Sequence, residues 1–333
     1  MPGIEELADY RRHTEWALAV ATAHELGLLE GLAEGTASAA DLAARLGLSP
    51  RGVDAMLGVL EELTLVRREG EGFRLTAEGR AAFVARGSPA YQGDAIRLWL
   101  QNVRRWASEL ESAVREGGPP RAIEAPGTGV ASDPEALARF MAAMDNKPAA
   151  QVEAVVDACL ARAPHAREML DLGGGPGTFA RAFARRGLHA TLLDRPEVIE
   201  HVAERYDLRS IPELSLQSGD FLDGSPAGEF DIILLANITH IYDPATNTRL
   251  IGSLVPQLRP GGVLAILDFV RGLSEFAPLF AITMLLNTEQ GGTYALEEYT
   301  RWLEEAGLGE VRCTSIDPDR QLVTAVSTRS GSA

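Results

Sequence analysis

Residues Met169 to Thr178 read Met-Leu-Asp-Leu-Gly-Gly-Gly-Pro-Gly-Thr. A short apolar run ends in an acid, passes into glycines and is followed at once by helix-forming sequence. This order predicts the first strand, turn and helix of an α/β domain that holds a nucleotide-like ligand at the carboxyl edge of its sheet. From Arg167 onward strand and helix signals alternate. Strands are expected at Glu168–Leu172, Ala190–Asp194, Leu214–Ser218, Phe230–Ala236 and Gly262–Asp268, with two more at Val311–Ser315 and Leu322–Ser327. Continuous apolar runs such as Ile232 to Leu235 suit a parallel sheet covered on both faces. Pro260-Gly261-Gly262 reads as a tight turn before the fifth strand.

The glycine spacing narrows the ligand. A dinucleotide turn needs G-x-G-x-x-G, but counting from Gly173 the last position is Thr178 and the glycine falls at Gly177. The turn still lets a ligand approach the backbone. Downstream, Asp194 ends the second strand in Leu-Leu-Asp-Arg-Pro, where an acid can accept both ribose hydroxyls. Asp220 and Phe221 follow the third strand. That carboxylate can accept from an exocyclic amine while the ring stacks on a base. Three strand-end acids in register, Asp171, Asp194 and Asp220, suit a ribose and a base without a pyrophosphate.

The N-terminal part has a different grammar. Trp16 to Leu29 reads as one amphipathic helix. Ser38 caps a second that stops at Gly47, and Ser49-Pro50 opens a third with Val53, Met56, Leu57, Leu60 and Leu63 on one face. Leu65-Val66, a Gly-Glu-Gly turn at Gly70–Gly72 and Phe73–Thr76 follow as a hairpin. The region resembles a winged helix-turn-helix. Two uses compete, DNA binding and packing or dimerisation. Arg51 near the start of the third helix is outweighed by Asp54, Glu61 and Glu62, so packing is favoured over a phosphate-lined groove. A helical connector is expected from Tyr91 to Arg115, broken at Gly117–Pro120. A flexible stretch is expected at Pro126–Asp133, then helix from Pro134 to Leu160 and a frayed tail at Thr328–Ala333. The expected domains are 1–90, a connector 91–160 that lines a substrate pocket, and 161–333.

Composition excludes several classes. The formal net charge of −16 argues against nucleic acid as the main partner. No apolar run is long enough to span a bilayer, and Met1–Tyr10 lacks the basic start of a secretory signal. Cys159 and Cys313 are far apart, and no metal-ligand spacing occurs, so no metal is expected. A reduced, cytoplasmic setting fits. Lys147 is the only lysine, which reads as genome composition.

The ordered motifs Asp-Leu-Gly-Gly-Gly-Pro-Gly-Thr, Leu-Leu-Asp-Arg-Pro-Glu-Val-Ile, Gly-Asp-Phe and Arg-Pro-Gly-Gly resemble the S-adenosylmethionine-dependent O-methyltransferases of the caffeate/acetylserotonin type. The resemblance spans nearly the whole chain. It implies a Rossmann-like class I methyltransferase domain with a seven-stranded, mostly parallel sheet, and a mainly α, winged-helix dimerisation domain before it. It also implies S-adenosyl-L-methionine as cofactor and a homodimer, formed through the N-terminal domain, that acts on a small molecule. Gly173 and Gly175 would face the methionine part, Asp194 the ribose, and Asp220 and Phe221 the adenine. Asp171, Arg195 and Asn237 complete the expected cofactor set.

Removing a proton from an oxygen nucleophile calls for a base, and histidine titrates near neutral pH. His240 follows the fourth strand, at the sheet edge where ligands bind. It matches the family's general base, and Asp268 matches its supporting acid. Ile241 and Tyr242 replace the Asp and Trp that follow the family's histidine. Thr293 or Tyr294 stands where a second acid is found. Trp99, Phe140, Met141, Met144, Tyr242, Phe280 and Met284 are the expected substrate-binding set, although core packing is the commoner role of a Phe/Met stripe. The leading expectation is methyl transfer to a hydroxyl of an aromatic or polyketide-like metabolite. The alternatives are N- or C-methylation, a non-methylating use of the sulfonium (decarboxylation, hydroxylation, cyclisation), and a winged-helix DNA-binding regulator.

Overall fold

The computed structural model describes residues 6–120, 133–224 and 227–329. The chain divides into two compact units, Met1–Arg104 and Arg105–Ala333. The first begins with α1 (Leu7–Glu25), α2 (Leu28–Gly31), α3 (Ala39–Leu46) and α4 (Pro50–Glu62). An antiparallel hairpin of β1 (Val66–Glu69) and β2 (Gly72–Leu75) follows, then α5 (Ala77–Phe83). α6 (Gly93–Glu116) runs across the boundary between the units. Local chemistry sets these limits. The Ser38 hydroxyl accepts the Asp41 N–H at 3.1 Å at the start of α3, and Pro50 occupies the first turn of α4. Leu28, Leu42, Leu57, Leu60 and Phe73 close the unit's own core. The single helix expected over Trp16–Leu29 is two helices. Gly27, in the left-handed region, separates them.

The second unit opens with α7 (Pro134–Asp145) and α8 (Ala149–Arg162). The continuous helix expected over Pro134–Leu160 is therefore broken at Asn146–Pro148. A proline disfavours helical backbone in the residue before it. Of the stretch expected to be flexible, residues 126–132 lie outside the described residues. Asp133 is ordered as the cap of α7, its carboxylate accepting the Glu135 and Ala136 N–H groups.

The α/β part then runs β3 (Glu168–Leu172), α9 (Thr178–Arg185), β4 (His189–Asp194), α10 (Pro196–Arg205), β5 (Leu214–Ser218), β6 (Phe230–Ala236), α11 (Pro244–Leu254), β7 (Leu258–Asp268), α12 (Ala277–Asn287), α13 (Leu296–Glu305), β8 (Leu308–Ser315) and β9 (Gln321–Ser327). The seven strands of this sheet lie in the order β5-β4-β3-β6-β7-β9-β8. All neighbours are parallel except β7–β9 and β8–β9. The fold is the Rossmann-like one expected.

Alternation explains the apolar runs. Met169, Leu192, Ile232, Leu234 and Val263 face one core with α8, α9 and α10. Leu170, Leu193, Ile233, Leu235 and Leu264 face the other with α11 and α13. The strand order reverses between β3 and β6, and ligands bind such sheets at that switch point, outside the strands' carboxyl ends. The turn expected at Pro260–Gly262 lies inside β7. Pairing passes from Phe230–Leu258 to Ile232–Val263, so Arg259–Gly262 forms a bulge within the strand. The start of the expected frayed tail is tied down, with the Thr328 hydroxyl bonded to the Gly307 carbonyl. Residues 330–333 lie outside the described residues. Among the described residues no helix is long and apolar enough to cross a membrane.

Candidate active site

The glycine turn is built around Asp171. This carboxylate ends β3 fully buried, and its Oδ2 accepts the Ala180 N–H of α9 at 3.0 Å. Its Oδ1 is buried with no hydrogen-bond partner. Burial pushes the carboxyl up to about 7, against the pull of Lys147. A Cβ on Gly174 would lie 2.5 Å from the Asp171 carboxylate, so only glycine fits there. Gly173 and Gly175 are both left-handed, with φ of 64° and 52°. The Gly175 N–H donates to Asp194 Oδ2 at 2.8 Å, and the Arg195 N–H donates to Asp194 Oδ1 at 2.8 Å. Asp194 thus ties the turn to the end of β4. Burial raises its carboxyl despite these two donors.

Asp220 is exposed after β5 and accepts the Leu222 N–H at 2.9 Å. The Phe221 ring approaches the turn: a Cβ on Gly173 would lie 3.2 Å from it. Tyr242 meets Phe221 edge-on at 6.2 Å between ring centroids. Burial, with Asp220 beside it, pushes the Tyr242 phenol up to about 12. The structure therefore sets Tyr242, expected among the substrate residues, with the expected cofactor residues. Asn237 follows β6 in the left-handed region, and its N–H donates to the Leu267 carbonyl at 2.9 Å.

His240 lies in the short 3-10 turn Thr239–Ile241 after β6, and Asp268 ends the neighbouring β7. Parallel pairing of these strands carries both side chains to one edge. His240 Nδ1 lies 2.8 Å from Asp268 Oδ1, and both residues are buried. Burial alone would raise the Asp268 carboxyl. The His240 ring and the donors from His240, Thr239 and Phe269 outweigh it and hold the group below the ordinary carboxylate range. An ionised Asp268 accepts a hydrogen bond from Nδ1–H, which leaves Nε2 with its lone pair as the proton acceptor. Phe280 packs edge-on to the imidazole at 4.7 Å, and Phe269 stacks on Phe280 at 4.3 Å. A strap braces the turn from α12 onward. The Gly292 N–H donates to the His240 carbonyl at 2.9 Å, and the Tyr294 hydroxyl donates to the Tyr242 carbonyl.

The other expected substrate residues scatter. Met141 is buried with its sulfur against Gly175, so it touches the turn. Phe140 packs on the core beside it. The Met144 carbonyl accepts from Lys147, and the Met284 carbonyl accepts from Thr288. Trp99 is half-buried on α6 in the first unit. Three residues of this region were not singled out from sequence for a role. Lys147, read as mere composition, is brought down to about 8 by burial and nearby Arg320. Its singularity was the signal. Thr239 bonds Asp268 and Tyr299 reaches Thr239, and only the first, next to His240, had a positional cue.

Comparison with known proteins agrees with this geometry. Residues 106–309 match the O-methyltransferase domain and residues 17–84 the O-methyltransferase dimerisation domain. The tetracenomycin polyketide synthesis 8-O-methyl transferase TcmO of Streptomyces glaucescens is 30% identical over 312 residues, 90% of each chain. The 3-hydroxy-5-methyl-1-naphthoate 3-O-methyltransferase of Streptomyces sahachiroi is 28% identical, covering 86% of this chain and 84% of that one. Human N-acetylserotonin methyltransferase, solved in complex with SAM, shares the fold with a TM-score of 0.85 and 23% identity, over 98% of this chain and 97% of that one. A glycine turn joined to strand-end acids, with a His–Asp pair on the same sheet edge, is thus carried by a chain that belongs to the O-methyltransferase family.

Proposed function

We propose that this chain transfers a methyl group from S-adenosylmethionine to a hydroxyl of a small aromatic or polyketide-like metabolite. The observation that carries the reading is the buried His240–Asp268 pair, bonded at 2.8 Å, on the sheet edge that bears the glycine turn. The residues present fit the cofactor. Buried Asp171 Oδ1 lacks a partner and can take a donor from the methionine end, next to Gly173 and Gly175. Asp194 and Arg195 would hold the ribose. Asp220, Phe221 and Asn237 would border the adenine, and Tyr242 joins them because its ring meets Phe221. When bound, the cofactor supplies an electrophilic methyl group on a sulfonium.

The protein's own task is positioning and proton removal. His240 Nε2 accepts the proton of the acceptor hydroxyl, and ionised Asp268 stabilises the resulting imidazolium. The cluster of Phe269, Phe276 and Phe280 beside His240 supports a flat aromatic acceptor. Phe140, Met141, Met144 and Met284 would add apolar contact. The two relatives that act on aromatic polyketide-type compounds support the same class. The match of residues 17–84 to a dimerisation domain supports a homodimer rather than a DNA-binding module.

The test is incubation with S-adenosylmethionine and a panel of phenols and naphthols, with S-adenosylhomocysteine and methylated product quantified. His240→Ala should bind S-adenosylhomocysteine as the wild type does and lose about 100-fold or more in methyl transfer. Unchanged turnover in that variant contradicts the base assignment.

A further inference from the structure

The Asp268 carboxylate is held from two sides. Its Oδ1 takes His240 Nδ1–H at 2.8 Å and the Phe269 N–H at 2.9 Å. Its Oδ2 takes the Thr239 hydroxyl at 2.6 Å and, more loosely, the His240 N–H at 3.2 Å. Thr239 is fully buried, and so is Tyr299 on α13, whose hydroxyl lies 3.1 Å from Thr239 Oγ1. A threonine hydroxyl has one proton. Here it goes to the carboxylate, so Tyr299 must donate into Thr239. Burial raises the Tyr299 phenol well above its ordinary range, and it therefore stays a donor.

Among the described residues no second acid bonds the imidazole. The Thr293 hydroxyl bonds the Ala277 carbonyl, and the Tyr294 hydroxyl bonds the Tyr242 carbonyl. The orientation of His240 then depends on the orientation of Asp268. Without the Thr239 hydroxyl, Oδ2 keeps only the longer backbone bond, and the carboxylate plane is held less firmly about its last torsion.

We propose that Thr239 and Tyr299 are positioning residues for His240. The chain of donors Tyr299 to Thr239 to Asp268 fixes the carboxylate plane and so aims the imidazole Nε2. This rests on His240 being the base. It steadies the carboxylate with two neutral hydroxyls, one from the 3-10 turn after β6 and one from α13.

The experiment compares Thr239→Val, Thr239→Ser and Tyr299→Phe by kcat, KM, S-adenosylhomocysteine affinity, and the downfield Nδ1–H proton resonance of His240 in the ligand-free protein. Thr239→Val should lower kcat by about 10- to 100-fold, as loss of an orienting partner does, with acceptor KM and product affinity within about twofold. The His240 proton resonance should broaden or vanish. Thr239→Ser should restore both, and Tyr299→Phe should lie between. Wild-type kcat and an intact resonance in Thr239→Val overturn the proposal. Equal loss in Thr239→Val and Thr239→Ser also overturns it, because shape and not the hydroxyl would then matter. If His240→Ala turned over normally the base reading would fall, while the resonance in Thr239→Val would still decide the positioning claim.

Discussion

Asp171→Asn should make the ligand-free protein more stable and a poorer binder of cofactor. The carboxyl is fully buried, Oδ1 has no partner, and burial holds it at about 7 in place of the ordinary 3.8. In the unfolded chain the group loses its proton first. A folded-state value raised in this way gives stability that is complete below the unfolded value and is lost as pH rises through the folded one. Ionising this buried group near neutral pH therefore costs on the order of 4 kcal/mol, and at about pH 5 only about 1.5 kcal/mol. Asparagine keeps an acceptor for the Ala180 N–H and never ionises. Its amide leaves a buried donor at the Oδ1 position, which costs about 1–3 kcal/mol at every pH. The difference between pH values cancels that constant. The stability gain at about pH 7.5 should exceed that at about pH 5 by about 2–3 kcal/mol, or about 5–10 °C in Tm for a unit of this size. Scanning calorimetry of wild type and variant at both pH values measures it, and titration with S-adenosylhomocysteine should show at least about a tenfold loss of affinity. An equal Tm difference at the two pH values would refute the burial argument.

Asp194→Ala removes the acceptor that ties Gly175 and Arg195 together, so S-adenosylhomocysteine affinity measured by calorimetry should fall by about tenfold or more. An unchanged affinity would remove Asp194 from the ribose site. Gly291→Ala would drive a Cβ into the His240 carbonyl and the Thr288 hydroxyl. The strap must shift, so kcat should fall by about tenfold with product affinity retained, and stability should drop by about 1–3 kcal/mol. Raising pH through about 8 should weaken cofactor binding if the buried Lys147 ammonium helps hold the anionic end of the ligand, and Lys147→Met should remove that pH dependence. A flat profile in the wild type would argue against that role.

The α/β half was legible because its signals are local. Acids at strand ends and apolar runs set strand positions almost to the residue at β3, β5 and β6. Pro260-Gly261-Gly262 misled because a bulge and a tight turn use the same residues, and only the pairing partner on β6 separates them. Lys147-Pro148 hid a helix break inside an apolar periodicity. His240 and Asp268 could be paired only through the family resemblance, since a helix and a strand separate them along the chain. Tyr242 was legible as a site residue but not as a neighbour of Phe221, and Tyr299 carried no cue. The first turns toward Phe221 because burial and Tyr294 fix its backbone, and the second reaches Thr239 from α13, far along the chain.

The central claim is that an acceptor oxygen receives the methyl group. Incubation with methyl-labelled S-adenosylmethionine and the phenol panel, followed by product NMR, tests it most directly. The expected result is label in an aryl methyl ether, formed in equal amount with S-adenosylhomocysteine and lost in His240→Ala. Label on carbon or nitrogen, or conversion of the acceptor with no methyl transferred, would contradict it.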